Sequence, residues 1–207
     1  MRKACVWELL LCVMLGIMAQ GCGVYTTYQT ARVLPPGHVA PALELGLGAA
    51  PALDDGRPWM FDMGPAVRVG IAKNIDVGVR PTLLYADVKY RFLRGPQDGA
   101  FDLGVSYWPK TNTDWMGMDY NQDFGLYPMV LFSAAHYFYG ARLIYIRHVR
   151  NDRVSNYLMP GVIVGLSIGR GFRFLPAAGL YYCAPDHWTR TRPYAFGIGF
   201  GLELQQQ

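Results

Sequence analysis

An all-β chain closed into a single antiparallel up-and-down transmembrane barrel is the fold this sequence predicts. The strand count it supports is ten, with eight as the alternative. Three observations carry the reading. Large apolar residues alternate with small or charged ones, at period two, through most of the chain. Many of the small positions are glycine, 24 in 207 residues, beside 14 tyrosines and only 16% charged residues. The connections between alternating stretches are mostly short on one side and mostly long on the other, as in a barrel that crosses a membrane on strands.

The N-terminal stretch "MRKACVWELLLCVMLGIMAQGC" stands apart from this pattern. Arg2 and Lys3 form a positive start, Leu9 to Met18 an apolar run, and the small residues Ala19 and Gly21 precede Cys22. The run is too short for a spanning helix, which takes roughly 20 apolar residues. Residues 1–21 read as a signal peptide, 22–36 as a short tether, and 37–207 as the barrel. Cys5 and Cys12 leave with the signal, so Cys22 and Cys183 remain. Cys183, at a strand end, reads as a small hydrophobe.

The strands follow in order. Val39 to Gly48 sets Leu43, Leu45 and Leu47 against Glu44, Gly46 and Gly48. Trp59 to Ile71 sets Phe61, Met63, Val67 and Val69 against Asp62, Gly64, Arg68 and Gly70. Ile75 to Leu83 carries Asp76, Gly78 and Arg80 on its small or charged face, and Ala86 to Phe92 carries Asp87, Lys89 and Arg91. Phe101 to Tyr107 puts Asp102, Gly104 and Ser106 there. Phe124 to Ala135 and Tyr139 to His148 are apolar on both faces. Leu158 to Gly169, Phe172 to Tyr182 and Tyr194 to Leu204 alternate again, the last as "YAFGIGFGLEL" with Glu203 on its glycine face. Lys73-Asn74, Arg94 to Gly99, the residues around Tyr137-Phe138, and Arg170-Gly171 read as short turns. Ala49 to Pro58, Pro109 to Asp123, Val149 to Asn156 and Ala184 to Thr191 read as long loops, with a tight exception at Leu84-Tyr85.

A soluble sheet has no use for glycine rows facing water, so the apolar stripes are expected to face lipid and the glycines a crowded lumen. Closure removes the unpaired edges that hydrocarbon would penalise. The inward charges are Arg68, Arg80, Lys89, Arg91 and Arg173 against Glu44, Asp62, Asp76, Asp87, Asp102 and Glu203. They nearly balance, and a ten-stranded lumen is narrow. Mutual pairing is therefore expected over a conducting pore, because a buried charge without a partner is costly. Pro41, Pro65, Pro81, Pro128, Pro160 and Pro176 fall within the strands and argue against uninterrupted ladders.

Ala19-Gln20-Gly21-Cys22 resembles a bacterial lipobox, with Ala19 where leucine is usual. Such a motif implies cleavage before Cys22 and covalent diacylglycerol on it. "YQTARVLPPG" followed by "LELGLG", and "IDVGVRPTLLYADVKYRF", resemble small Gram-negative outer-membrane β-barrel lipoproteins of an uncharacterised family. The resemblance implies an outer-membrane location, a periplasmic N-terminus and extracellular long loops. It also implies passage through the barrel-assembly and lipoprotein-sorting machinery, with which Gly23 is compatible. It carries no activity.

Chemistry is sparse. Asp54-Asp55 and Asp186-His187 match, in residue type only, the acidic pair and Asp–His pair of much longer barrel proteases. "DYNQDF" at Asp119 to Phe124 begins like a calcium loop but lacks the glycine that must follow. Ser133 and His136 lie three residues apart, on opposite strand faces. His148 reads as an interfacial or packed side chain. No cofactor, metal or nucleic acid is expected: the net charge is only +4, without a basic run. The expected role is non-enzymatic, structural or surface-interacting, and the protein partner is undefined. The alternatives are a rim enzyme (protease-like or lipid-modifying), a narrow channel, or a soluble tethered barrel.

Overall fold

A computed structural model describes residues 29–49, 59–81, 84–114, 117–150, 153–169, 171–183 and 194–204. Its strands are β1 (Val39–Ala49), β2 (Trp59–Ala72), β3 (Ile75–Arg80), β4 (Tyr85–Leu93), β5 (Asp98–Asp114), β6 (Gly117–Ser133), β7 (Tyr137–Arg150), β8 (Arg153–Leu166), β9 (Phe172–Tyr182) and β10 (Tyr194–Leu204). Each pairs antiparallel with its neighbours in sequence, and β1 pairs with β10 to close the barrel. Ten is therefore the strand number.

The alternation seen in sequence sets which side faces in. In β10, Ala195, Gly197 and Gly201 are buried while Tyr194, Phe196, Ile198 and Leu204 are exposed. Leu43, Leu47, Val79, Val88, Leu103, Val105, Val162, Val164 and Leu180 continue the exposed apolar surface around the wall. Outward aromatics gather at two levels. Near the short turns, Phe92, Phe132, Tyr139 and Tyr137 form a chain of ring contacts, with centroids 6.1, 5.6 and 6.4 Å apart. Near the opposite end, which we call the mouth, Tyr182 and Tyr194 lie 5.9 Å apart, and Tyr107 sits opposite Phe124 in register. Level with Phe124 and beyond it the outward face is mixed, with Arg147, Asn156 and Gln122 exposed beside Val154.

Following the ladder from Ala49 through Phe196, Leu180, Val162, Ala141, Val130, Phe101, Tyr90 and Ile75 leads to Ala72, at the far end of β2. This stagger is the shear that closure of tilted strands requires.

The prolines mark where ladders stop, because proline has no N–H to donate. The β8–β9 ladder runs only from Gly161↔Tyr181 to Gly165↔Ala177, between Pro160 and Pro176. The β2–β3 ladder begins at Val67↔Val79, just inside Pro65 and Pro81. The β6–β7 ladder is interrupted at Pro128. The short β3–β4 hairpin leaves β2 beyond Pro65 paired only with β1, and β5 beyond Tyr107 paired only with β6. Among the described residues, the wall is notched there.

Two stretches read as long loops are strand instead. β5 and β6 run to Asp114↔Gly117, and β7 and β8 to Arg150↔Arg153. Their polar ends carry no apolar alternation, so period two gives no signal, although a hairpin needs only a two-residue connection.

Candidate functional site

The lumen is divided by chemistry. Strands β1 to β5 contribute most of its charges. Strands β6 to β9 contribute Met129, Leu131, Phe138, Ile144, Met159, Ile163 and Leu175, all buried. This explains why β6 and β7 look apolar on both faces: one face meets the outside and the other fills the barrel.

On the charged side, Arg68 bridges Asp76 and Asp87 with its two terminal nitrogens. Lys89 Nζ lies 3.6 Å from Asp76, and Arg80 pairs with Glu44. Arg80 also stands over the Tyr85 ring, 5.2 Å from its centroid. Arg91 is 4.0 Å from Asp98, and Arg173 faces Glu203 in register. Asp62 lies on β2 opposite Gly46. Cys22, Asp54, Asp55, Asp186 and His187 lie outside the described residues.

Between the two halves runs the chain that precedes β1. Gln29 to Leu34, read in sequence as part of a tether, lies in the lumen. The chain turns at Gly37, whose N–H donates to Gly70 O at 2.8 Å and whose φ of 81° suits glycine. Read backwards from there, Leu34 N–H donates to Asp76 Oδ2 (3.0 Å) and Ala31 N–H to Ser133 Oγ (2.6 Å). Lys89 Nζ donates to Thr30 O (3.0 Å), and Gln29 Nε2 donates to Asp102. Gln29, Thr30, Ala31 and Val33 are buried. The segment is a plug that adds hydrogen bonds to luminal side chains of β3, β4, β5 and β6. A cavity of about 380 Å³ remains beside it at the turn end, lined by Arg32, His38, Arg91, Arg173 and Glu203 among others.

Sequence reasoning missed several of these residues. Arg142 is buried with its guanidinium over the Tyr127 ring, 4.9 Å from the centroid. Its signal was present in "GARLIYIRHV", where Arg142, Ile144, Ile146 and His148 share one face. The plug had none, because an irregular segment has no period.

At the mouth, His148 points inward and pairs through Nδ1 with Asp123, its register partner on β6. The stretch Asp119 to Asp123, compared above with a calcium loop, lies within β6. His136 is exposed in the β6–β7 turn, while Ser133 is buried and bound to the plug, so the two form no dyad. Cys183 is buried, and burial pushes its thiol up from the ordinary value.

No family model matches the chain, and no curated protein matches it. Among solved structures, Neisserial surface protein A is similar at 13% identity and a TM-score of 0.36, covering 82% of this chain and 96% of that one. Ail, the attachment invasion locus protein of Yersinia pestis, is similar at 10% identity and a TM-score of 0.27, covering 82% of this chain and 98% of that one.

Proposed function

We propose that the chain is an outer-membrane barrel of a Gram-negative bacterium, with a filled lumen and a structural or surface-interaction role exercised at its mouth. The observation that carries this is the outer surface. It is apolar around the wall and edged by aromatics at two levels. In water so large an apolar surface would drive association; in a bilayer it is the required interface. The occupied lumen supports a closed barrel over a channel.

On this reading Cys22 carries diacylglycerol, the short turns face the periplasm and the hairpin ends face outward. The lipid of the outer membrane, the barrel-assembly machinery and the lipoprotein-sorting machinery are the partners it implies. The test is electrophoretic mobility of the outer-membrane fraction, unboiled against boiled, from cells grown with radioactive palmitate. A shift on boiling, with label retained by the protein and lost on Cys22→Ala, is expected. An unchanged mobility would overturn the membrane-embedded barrel.

A further inference from the structure

The cavity of about 380 Å³ at the turn end is built from two walls of the barrel and from the plug between them. Arg91 lines it from β4, Arg173 from β9 and Arg32 from the plug, and β4 and β9 stand on opposite sides of the closed ring of strands. Asp98 and Glu203 are the carboxylates on its lining. Arg68 and Lys89 also reach it, but Asp76 and Asp87 pair with them. With His38 neutral, three guanidinium groups therefore stand against two carboxylates, an excess of one positive charge. The pairing leaves donors unused. Asp98 lies 3.6 Å from Arg32 Nε and 4.0 Å from Arg91 Nη1, longer than the roughly 2.7–2.9 Å of a charge-assisted hydrogen bond. Arg91 Nη2 donates to Lys73 O at 3.3 Å, while Arg91 Nε is buried without a hydrogen-bond partner. A buried donor left unbonded is costly. Arg32 and Arg173 repel one another across the cavity. An anionic acceptor placed among the three would meet these donors and offset the repulsion.

We infer that Arg32, Arg91 and Arg173 form a binding site for a small, water-soluble organic acid with one carboxylate on a partly apolar body. The charge excess is one, which a monocarboxylate cancels and a phosphate monoester dianion overshoots. A carboxylate also matches the planar, two-pronged guanidinium fork. The volume agrees, since sites for small molecules begin at about 300 Å³. Val33, Leu34 and Pro35 of the plug segment give the same cavity an apolar side for the body of the acid. The ligand is a solute and not a membrane lipid, because these arginines line the lumen and the cavity meets solvent at the turn end, where Arg32 and His38 are exposed. Bound acid ties the plug, through Arg32, to β4 and β9. It stabilises the filled lumen as any ligand of the folded state does.

The inference goes beyond the role proposed above and rests on that reading only for the compartment the turn end faces, the periplasm. The test uses the full chain, folded in detergent and checked for its mobility shift on boiling. N-acetylalanine is the probe, a carboxylate monoanion with a small body, and N-acetylalaninamide is its uncharged counterpart. Titration calorimetry should give a saturable signal with the acid and none with the amide. The acid should also raise the urea midpoint at which the unboiled band converts to the boiled position. Arg91→Gln and Arg173→Gln should each weaken binding about 10-fold or more, the loss that follows from removing a hydrogen bond to a charged group. Arg32→Gln should do the same, and Arg32→Lys should not restore it, since an ammonium has no fork. Arg147→Gln, at an exposed arginine near the mouth, should bind as the wild type does. A barrel that shifts on boiling yet takes up no acid, or binds acid and amide alike, would overturn the site and leave the membrane reading standing. Tighter binding of glycerol 3-phosphate would give the cavity to phosphate and overturn the carboxylate. Binding that survives all three glutamine variants would overturn the site as well. A chain that binds the acid at these arginines without a mobility shift would keep the site and remove the membrane reading.

Discussion

Arg68 is the residue on which the luminal charges depend. Its guanidinium is shared between Asp76 and Asp87, both buried, so its removal leaves two carboxylates facing one remaining cation, Lys89. Breaking a buried pair from one side is strongly destabilising, by about 3–5 kcal/mol, because the orphaned charge stays desolvated. Arg68→Ala should therefore lower the urea midpoint at which the unboiled band converts to the boiled position. Arg32, whose pairing with Asp98 at 3.6 Å is 43% exposed on the arginine side, should lose no more than about 1 kcal/mol on the same substitution. Adding Asp87→Asn to Arg68→Ala should restore part of the loss. An Arg68→Ala barrel as resistant as the wild type would show that these groups are not held charged against one another. Period two made Arg68, Asp76 and Asp87 legible as inward residues. Which carboxylates share the arginine was not legible, because that depends on register across three strands.

At the scale of elements, inward glycines stand opposite large inward side chains. Phe138 is the register partner of Gly165, Tyr181 of Gly161, and Gly78 is flanked by Arg68 and Asp87. A Cβ built at Gly165 would fall on the Phe138 ring, and one at Gly161 on Tyr181. The glycine rows thus give room for aromatics and charges that reach across from the next strand. Gly165→Val should cost about 1–3 kcal/mol, as overpacking does. Phe138→Ala in the same chain should recover much of that, since the added methyl groups then occupy the vacated ring volume. Urea resistance of the two single variants and the double variant measures the coupling; additive losses would mean that the glycine serves the backbone and not the ring. The existence and inward facing of these glycines could be read from sequence. Their pairing with particular rings could not. Nor could the polar ends of β5 to β8, where charged and amide residues on both faces erase the alternation that marks a strand.

At the scale of the molecule, strand order and closure were legible because they follow from alternation and from the requirement that no edge stay open. The plug was not, because its six residues from Gln29 to Leu34 make no periodic pattern and their partners are scattered over Asp76, Lys89, Asp102 and Ser133. Conduction through the barrel is expected to depend on it. The plug lies between a charged half-lumen and an apolar half-lumen, so it separates water-attracting groups from side chains that exclude water. If Gln29 to Leu34 is replaced by six alternating glycines and serines, Asp102 loses the Gln29 side chain, and the backbone bonds to Asp76, Lys89 and Ser133 are no longer held in place by the buried side chains of Ala31 and Val33. A buried polar group so stripped costs about 1–3 kcal/mol unless it is solvated, so water should enter along β3 to β5. The wild-type barrel should be silent in planar bilayers, and the replaced barrel should show steady conductance steps. Cells carrying it should become sensitive to antibiotics that the outer membrane normally excludes. Silence from a replaced barrel that still shifts on boiling would mean that the Arg68 cluster and the apolar wall meet to close the lumen by themselves, with the plug only bracing them.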